Sequence, residues 1–169
     1  AFVEAAQQVY GVTADDRVYQ GFSVAFDAAV EELWSAWSNG AELVVAPDCV
    51  IRSPSEVARY INQYAITFYS TVPSFLSMME DDLPSVRLII VGGEPCAPQL
   101  VSRWATSFRR FLNTYGPTEA AVVTTFAECR PGEKVTIGKA LPGYYTVVLD
   151  EHLNPTPVGE IGELFIGGP

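Results

Sequence analysis

A regular alternation of short β-rich runs with helical stretches constrains the fold of this chain most strongly. Continuous apolar runs, such as residues 88–91, are typical of strands that are buried on both faces. Strand–helix–strand repeats of this kind predict right-handed βαβ units. We therefore expect an α/β fold, in which a mostly parallel sheet is flanked by helices. The strand-like runs cover residues 17–22, 41–46, 65–70, 86–91 and 110–115.

Proline and capping signals mark the start of three of the four predicted helices. One helix is expected to begin with Ser53 as its N-cap, Pro54 in its first turn and Glu56 completing a capping box. Two others follow Pro73 and Pro98. Ligands on parallel sheets bind beyond the carboxyl ends of the strands. This rule selects four loops as the expected place for chemistry, namely those after Phe22, Ser70, Val91 and Tyr115.

The remaining helix begins near Asp27 and ends at Asn39-Gly40, a common C-terminal stop. Asp27 and Glu31 lie four residues apart, on one face of this helix, where like charges repel each other. Either Glu31 or Glu32 could point inward, and the spacing from Asp27 favours Glu31. The apolar residues of the helix recur at helical spacing and are expected to face the core: Val30, Leu33, Trp34 and Trp37.

The composition changes after about residue 126, where proline and glycine become frequent and the strand candidates become short. This pattern is typical of antiparallel hairpins. We expect an α/β core subdomain over residues 1–126 and an incomplete β-rich subdomain over residues 127–169. The chain begins inside a helical pattern and stops directly after a strand-like run, so we interpret it as a piece of a longer protein.

The charge and residue composition exclude several classes of function. The net charge of −10 argues against a nucleic-acid groove and against contact with an anionic membrane surface. No apolar run reaches the roughly 20 residues of a membrane-spanning helix. Three widely separated cysteines indicate a reducing compartment, and hence a cytoplasmic protein. The single histidine, His152, lies in a polar turn and is expected to be solvated.

The segment NTYGPTE, at the end of the fifth strand-like run, carries the clearest functional signal. Gly116 permits a tight turn, and Pro117 suits the first turn of a helix. Thr118 offers a hydroxyl and backbone N–H groups to an anion, and Glu119 offers a carboxylate that suits Mg²⁺. Together with the aromatic ring of Tyr115, these groups indicate a nucleotide site. The alternative is an ordinary strand–turn–helix with a capping threonine.

A second loop, in LIIVGGEPC, ends a buried strand with Gly92 and Gly93. Two glycines would let the backbone approach a flat ring closely. The alternative is a plain turn.

Three ordered segments give the chain a resemblance to the amino-acid adenylation domains of nonribosomal peptide synthetases. NTYGPTE resembles the N-x-Y-G-P-T-E motif of that family, and GELFIGGP resembles its G-E-L-x-I-x-G motif. FDAAVEELW resembles its F-D-x-S region, with Ala29 in the usual place of the serine. These domains belong to the wider adenylate-forming superfamily of acyl-CoA synthetases and luciferases. Residues 70–105 are also similar to a subgroup that makes amino-acid homopolymers.

The resemblance implies an ATP-dependent ligase. An amino-acid carboxylate would attack the α-phosphate of ATP, and the aminoacyl-AMP would then pass its acyl group to the phosphopantetheine thiol of a peptidyl carrier domain, in cis or in trans. ATP and Mg²⁺ are the implied cofactors. The phosphate loop of the family would precede Ala1, and its lysine-bearing C-terminal domain would follow Pro169. We therefore expect these 169 residues alone to be inactive.

The resemblance also implies individual site residues. Thr118 would contact the α-phosphate and Glu119 would bind Mg²⁺, so these two are the catalytic candidates. Asp27 would pair with the α-ammonium of the substrate, and Phe26 would lie near its carboxylate. The implied nucleotide-binding residues are Gly93, Glu94, Asn113, Tyr115, Gly116 and Thr118. The implied amino-acid-binding residues are Phe26, Asp27, Ala28, Glu31, Ser70, Ile90, Gly92, Thr114, Val122 and Val123.

Glu31 is the one charged member of the amino-acid-binding set besides Asp27. A lone buried carboxylate is unfavourable unless it is paired, and a second ammonium group on the substrate would pair with it. The set resembles the lysine-type pockets of the family, so lysine is the first choice, followed by ornithine or another diamino acid. One alternative is an acyl-CoA or aryl-acid ligase of the same superfamily, whose substrate would leave Asp27 without a partner. The other is a non-catalytic nucleotide- or partner-binding scaffold domain.

Overall fold

The structure is a computed structural model that describes residues 1–168. Pro169, the last residue of the GELFIGGP segment and of the expected β-rich subdomain, lies outside the described residues. The helices are α1 (Phe2–Tyr10), α2 (Ala28–Trp37), α3 (Pro54–Gln63), α4 (Pro73–Ser77) and α5 (Pro98–Trp104). The strands are β1 (Arg17–Gln20), β2 (Glu42–Val45), β3 (Phe68–Thr71), β4 (Leu88–Val91), β5 (Arg110–Tyr115), β6 (Thr125–Glu128), β7 (Lys139–Ala140), β8 (Tyr145–Leu149) and β9 (Glu163–Gly167).

Seven strands form one sheet in the order β2-β1-β3-β4-β5-β6-β7. The pairs among β1 to β5 are parallel, whereas β6 and β7 are antiparallel to their neighbours. The predicted α/β class is thereby confirmed, and each of the five predicted strand-like runs overlaps a strand. The direction of winding reverses between β1 and β3, which makes this point a topological switch where ligands bind on open sheets.

Alternate strand residues point to the two faces of the sheet, so each face has its own apolar core. On one face, Val18, Phe68 and Leu88 pack with α1 and α2. On the other face, Tyr69 and Ile89 pack with α3, α4 and α5. Every residue of β3 and of β4 is buried, as expected for central parallel strands. The carboxyl ends of these strands are thus held rigidly beneath the loops that follow them.

Helix α2 buries a different face from the predicted one. Val30, Trp34 and Trp37 are exposed, although they were expected in the core. The two tryptophan rings instead contact each other edge to face, with their centroids 5.9 Å apart. The small and acidic residues of the helix point inward because they face the turn after β1 and a cavity described below. The buried residues are Ala29, Glu31, Glu32, Ser35 and Ala36.

The predicted prolines do begin three helices, at Pro54, Pro73 and Pro98. The predicted capping box is wrong, because Ser53 makes no side-chain cap bond and Glu56 pairs with a neighbouring arginine instead. The longest helices, α2 and α3, have 10 residues each. Within residues 1–168, no helix combines the length and the apolar character that a membrane crossing requires.

The last part of the chain contributes to two sheets. Strands β6 and β7 extend the large sheet as far as Ala140. Strands β8 and β9 form a separate antiparallel pair, in line with the predicted hairpins. The sheets therefore change between Ala140 and Tyr145, while the expected subdomain boundary at residue 126 stays a prediction. His152 is exposed in the turn after β8.

Candidate active site

A cavity of about 330 Å³ opens where the carboxyl ends of β3, β4 and β5 meet the first turn of α2. This is the edge of the sheet at which parallel α/β folds bind their ligands. Nine of the ten residues predicted to bind the amino acid line the cavity, all except Ile90. The lining residues are Phe22, Phe26, Asp27, Ala28, Glu31, Ser70, Thr71, Val72, Gly92, Gly93, Thr114, Gly116, Val122 and Val123.

Ile90 lies in the apolar core on the α1–α2 side of the sheet and is 1% exposed. It stands two residues before Gly92, which directly follows the end of β4. Gly92 lines the cavity and Ile90 does not, so the contact of Ile90 with the substrate stays a prediction.

Two glycines keep the cavity walls close to the backbone. A Cβ atom on Gly92 would lie 2.6 Å from the hydroxyl oxygen of Thr114, which itself donates to the Val91 carbonyl over 3.1 Å. A Cβ atom on Gly116 would lie 2.6 Å from the Val122 carbonyl oxygen. Gly93 has a φ of +78° and faces open space, so a flat ring could approach its backbone directly. The glycine positions thus suit the predicted nucleotide.

The first turn of α2 presents two carboxylates to the cavity. Asp27 is the N-cap residue, makes no side-chain cap bond and is partly exposed. Glu31 is buried, with 3% of its surface exposed. The Tyr10 hydroxyl donates to Glu31 Oε1 over 2.5 Å, and the Ser70 hydroxyl donates to Oε2 over 2.7 Å. Glu31 is therefore held between α1 and the end of β3.

Burial raises the pKa of Glu31, and the nearby charge of Asp27 raises it further. The hydrogen bonds from Tyr10 and Ser70 act in the opposite direction and favour the ionised carboxylate. No lysine, arginine or histidine is among the cavity-lining residues of the part described, so neither acid has a protein cation beside it there. The described lining of the cavity thus has two acidic groups and no basic partner.

Glu32, the next residue on α2, faces the turn after β1 instead of this cavity. Its carboxylate accepts hydrogen bonds from the backbone N–H groups of Gly21 and Phe22 and from the Gln20 side-chain amide. Burial raises the pKa of Glu32 to about 8, while these hydrogen bonds oppose the shift. By binding the Phe22 N–H, Glu32 fixes the turn that supplies one wall of the cavity.

The NTYGPTE segment forms the end of β5 and a short 3₁₀ turn over Thr118–Ala120. A longer helix was expected after Pro117. It does not form, because the two residues after the turn, Ala121 and Val122, have left-handed backbones with φ values of 61° and 68°. A β-branched residue rarely adopts this conformation. The loop then returns to Tyr115, whose carbonyl accepts the backbone N–H of Thr124.

The nucleotide-binding candidates lie around this loop, with different surroundings. Tyr115 is 41% exposed, so its ring is open to stacking. Glu94 accepts hydrogen bonds from the backbone N–H and the hydroxyl of Ser74, both over 2.9 Å, at the start of α4. The Asn113 side chain is buried and donates to the Thr136 carbonyl over 2.8 Å. Their contacts with a nucleotide remain predictions.

The exposed carboxylate of Glu119 is compatible with the predicted Mg²⁺ ion. Within residues 1–168, no group of three or more His, Cys, Asp or Glu side chains could hold a metal by itself. Mg²⁺ is usually bound by one or two carboxylates together with substrate phosphates. A single acid beside a turn that is predicted to bind phosphate fits that arrangement.

Several residues that shape the site were not predicted from the sequence. Thr71 and Val72 line the cavity directly after Ser70, in a loop that the strand-end rule had selected without naming these two residues. Phe22 follows β1 in the same way. Tyr10 and Glu32 had no such signal, because the first binds Glu31 from another helix and the second binds a turn ten residues earlier.

Comparisons with known proteins identify the family of this chain. The family model described as AMP-binding enzyme matches residues 1–169. Delta-poly-L-ornithine synthetase from Acinetobacter baumannii is 40% identical over 168 residues, which are 99% of this chain and 13% of that protein. Phosphinothricin tripeptide synthetase PhsC from Streptomyces viridochromogenes is 36% identical over 160 residues, which are 94% of this chain and 15% of that protein. The chain therefore spans a small part of the length of these relatives.

Solved structures share the same fold. The nonribosomal peptide synthetase FmoA3, bound to α-methyl-L-serine-AMP, has a TM-score of 0.91 and 25% sequence identity over 99% of this chain and 21% of that chain. The Vibrio cholerae adenylation domain AlmE, in complex with glycyl-adenosine-5'-phosphate, has a TM-score of 0.85 and 24% identity over 96% of this chain and 34% of that chain.

Proposed function

The chain belongs to the AMP-binding enzyme family, and from this premise we propose that it is the amino-acid-selecting part of an adenylation domain. The proposed reaction is the ATP-dependent activation of a diamino acid as its aminoacyl-AMP. The acyl group would then pass to the phosphopantetheine thiol of a carrier domain, in nonribosomal peptide or homopolymer synthesis. Lysine and ornithine are the two candidate substrates.

The proposed chemistry depends on positioning. A carboxylate oxygen of the amino acid forms a bond to the α-phosphorus of ATP while the bond from that phosphorus to pyrophosphate breaks. Asp27 holds the α-ammonium group, and the Thr118 hydroxyl donates to the α-phosphate. Glu119 is the residue that would hold Mg²⁺, which would neutralise phosphate charge. Such a reaction needs no protein nucleophile.

The observation that carries the substrate proposal is the pair of acidic groups, Asp27 and Glu31, in a cavity whose described lining has no basic side chain. An α-amino acid supplies one ammonium group, which suits Asp27. A neutral substrate side chain would leave Glu31 buried without a cation, which is unfavourable. The hydroxyl groups of Tyr10 and Ser70 satisfy oxygen atoms of Glu31 but bring no positive charge. A second ammonium group on the substrate would supply it.

The names of relatives support the same substrate class. Delta-poly-L-ornithine synthetase is a relative at 40% identity, and its name supports ornithine as a candidate beside lysine. Both amino acids have a distal ammonium on a flexible stem, and they differ by one methylene group. A methylene group changes selectivity by only about 10- to 200-fold in a closed pocket. We therefore propose the diamino class and leave the choice between the two to experiment.

Amino-acid-dependent ATP–pyrophosphate exchange by the full-length protein tests this proposal. Lysine, ornithine, leucine, phenylalanine and norleucine form the panel, and norleucine has the length of lysine without its distal charge. We expect kcat/KM for lysine or ornithine to exceed that for norleucine by about tenfold or more, because the loss of a charged hydrogen-bonding partner has at least that effect. A preference for phenylalanine or leucine would contradict the proposal.

Glu31→Gln provides the matching change on the protein. This variant should remove the preference for diamino acids, because it leaves the distal ammonium buried without a charged partner. The exchange reaction with norleucine should change much less. Glu4→Gln is the control, since Glu4 is an exposed acid on the neighbouring helix α1. Loss of activity with every amino acid in Glu31→Gln would indicate damage to the fold instead.

A further inference from the structure

The phenol of Tyr10 contacts Glu31, an acid that lines the cavity, from outside the cavity. Tyr10 is the last residue of α1 and is 1% exposed. It does not line the 330 Å³ cavity, but Glu31 does. Tyr10 and Glu31 together border a narrow gap on the other side, between α1 and α2. Glu31 therefore forms a partition, with the substrate cavity on one side and Tyr10 on the other.

This arrangement divides the two oxygens of Glu31 between two donors. Oε1 accepts from Tyr10, and Oε2 accepts from Ser70, which lines the cavity itself. The Tyr10 ring is also packed against Phe68, with 6.0 Å between the ring centroids. A rigid ring with a single hydroxyl donor fixes the rotamer of the carboxylate more tightly than a flexible side chain would. The position of the acid is thus determined from outside the cavity.

We propose that Tyr10 is a positioning residue that determines the charge selectivity of the amino-acid cavity, by holding the carboxyl group of Glu31 aimed at the distal ammonium group of the substrate. This inference rests on the proposed function. Tyr10 does not line the cavity itself, and its hydroxyl reaches it through the hydrogen bond to Glu31. Removing its hydroxyl should weaken the binding of diamino acids while leaving the chemical step unchanged.

The surroundings of Glu31 determine how this effect depends on pH. Asp27 and Glu32 are the titratable neighbours on α2, and Tyr10 is the titratable neighbour on α1. The facing strand ends contribute Ser70, Gly92 and Thr114, none of which titrates in the working range. Burial raises the pKa of Tyr10 well above its usual value, so Tyr10 stays a hydrogen-bond donor. Loss of this donor should raise the pKa of Glu31 and leave less carboxylate ionised at low pH.

The test compares Tyr10→Phe, Glu31→Gln and Tyr60→Phe in the full-length protein by pyrophosphate exchange. We expect Tyr10→Phe to raise KM for lysine or ornithine about tenfold, with kcat and the norleucine reaction nearly unchanged. The increase in KM should grow as the pH is lowered, and Glu31→Gln should show no such growth. Tyr60→Phe is the control, because Tyr60 donates to the Val45 carbonyl away from the cavity.

The outcomes separate the two proposals. If wild type shows no preference for diamino acids, the proposed substrate class is wrong. If wild type shows the preference and Glu31→Gln leaves it intact, Glu31 does not recognise the distal ammonium group, and the role of Tyr10 is wrong with it. If Glu31→Gln removes the preference and Tyr10→Phe does not, the role of Tyr10 alone is wrong. An equal effect of Tyr10→Phe on lysine and norleucine would also overturn it. Should Tyr10→Phe fold poorly, 3-fluorotyrosine at position 10 retains the ring and is a stronger donor, so it should lower KM for the diamino acid at low pH.

Discussion

Glu31 and Glu32 are adjacent residues that lie in two separate environments. Successive residues of a helix point about 100° apart, and these two carboxylates accordingly have different partners. Glu31 faces the substrate cavity, and Glu32 binds the turn after β1. The spacing from Asp27 predicted the inward position of Glu31. It could not predict Glu32, because the partners of that carboxylate are backbone N–H groups, which every sequence has.

The buried Glu32 makes the stability of the fold depend on pH. Its pKa is raised to about 8 in the folded state, mainly by burial, whereas an unfolded glutamate has a pKa of about 4.3. The folded state therefore holds an additional proton between these pH values, and stability falls as the pH rises through this window. The loss should be on the order of a few kcal/mol. Glu32→Gln should remove it.

Urea unfolding of wild type and Glu32→Gln at about pH 5.5 and about pH 8 measures this effect, since both lie within the window. Wild type should lose more stability than the variant between the two conditions. Glu133→Gln, which changes an exposed glutamate, should retain the slope of the wild type. The same slope in Glu32→Gln would show that other groups cause the dependence.

At the scale of secondary structure, the hydrophobic pattern predicted the positions of helices and strands better than it predicted which face of a helix is buried. The prolines correctly marked the starts of α3, α4 and α5. The apolar stripe of α2 was assigned to the core, and three of its four residues are exposed. Periodicity identifies one face of a helix, but it does not say which face is buried. In α2 the buried face carries two carboxylates. Glu31 lines the cavity, and Glu32 binds the turn after β1.

A polar junction ties three elements together at the other end of the sheet. Asp16, just before β1, accepts hydrogen bonds from the Thr13 N–H over 2.8 Å, the Thr67 hydroxyl over 2.7 Å and Arg87 Nε over 2.7 Å. Thr67 and Arg87 immediately precede β3 and β4. The carboxylate therefore aligns the starts of three neighbouring parallel strands, which carry the cavity at their opposite ends.

Asp16→Asn should destabilise the fold by about 2 kcal/mol, because hydrogen bonds to charged groups are lost in a buried place. Burial alone would raise the pKa of Asp16, but the hydrogen bonds from Arg87, Thr13 and Thr67 outweigh it and lower the pKa to about 2. This contribution is complete above the unfolded pKa of about 3.9 and is lost as the pH falls toward about 2. The difference between wild type and variant should therefore shrink in acid.

Thermal unfolding of both proteins between neutral pH and acid checks this expectation. Asp15→Asn is the matched control, because Asp15 is the exposed neighbour of Asp16. A stability difference for Asp16→Asn that does not change in acid would contradict the role of the charge.

At the scale of the whole molecule, the sequence predicted the kind of sheet and not its order. Alternation and apolar runs indicated parallel strands, and the resemblance to adenylation domains is confirmed by the family match and the relatives. The order β2-β1-β3-β4-β5 depends on which face each crossover takes, and no local pattern records that choice. The rule that ligands bind at the carboxyl ends of parallel strands holds for any order of the strands. It therefore predicted the location of the cavity, which most of the predicted substrate residues line.

The nucleotide half of the site can be tested through the stability of the whole protein. A ligand that binds the folded state raises the melting temperature in proportion to the logarithm of its concentration over Kd. We expect ATP with Mg²⁺ to raise Tm of the full-length protein more than ATP with a chelator does. Glu119→Gln should make the two conditions equal, because the exposed carboxylate of Glu119 is the proposed Mg²⁺ ligand.

Glu133→Gln serves again as the control, since it removes an exposed acid from another loop. A variant at position 119 that retains the full difference between Mg²⁺ and chelator would assign the metal to other residues. No stabilisation of wild type by ATP under either condition would favour the scaffold alternative.

The hydrogen bond between Tyr10 and Glu31 has a consequence for the design of chimeric proteins. The residues that line the cavity fall between Phe22 and Val123, so an exchange of this segment between relatives is the natural way to transplant a substrate preference. Tyr10 lies outside that segment, on α1. A transplanted segment that starts after Tyr10 would carry Glu31 but would not carry the phenol that positions it. The splice point should therefore precede α1.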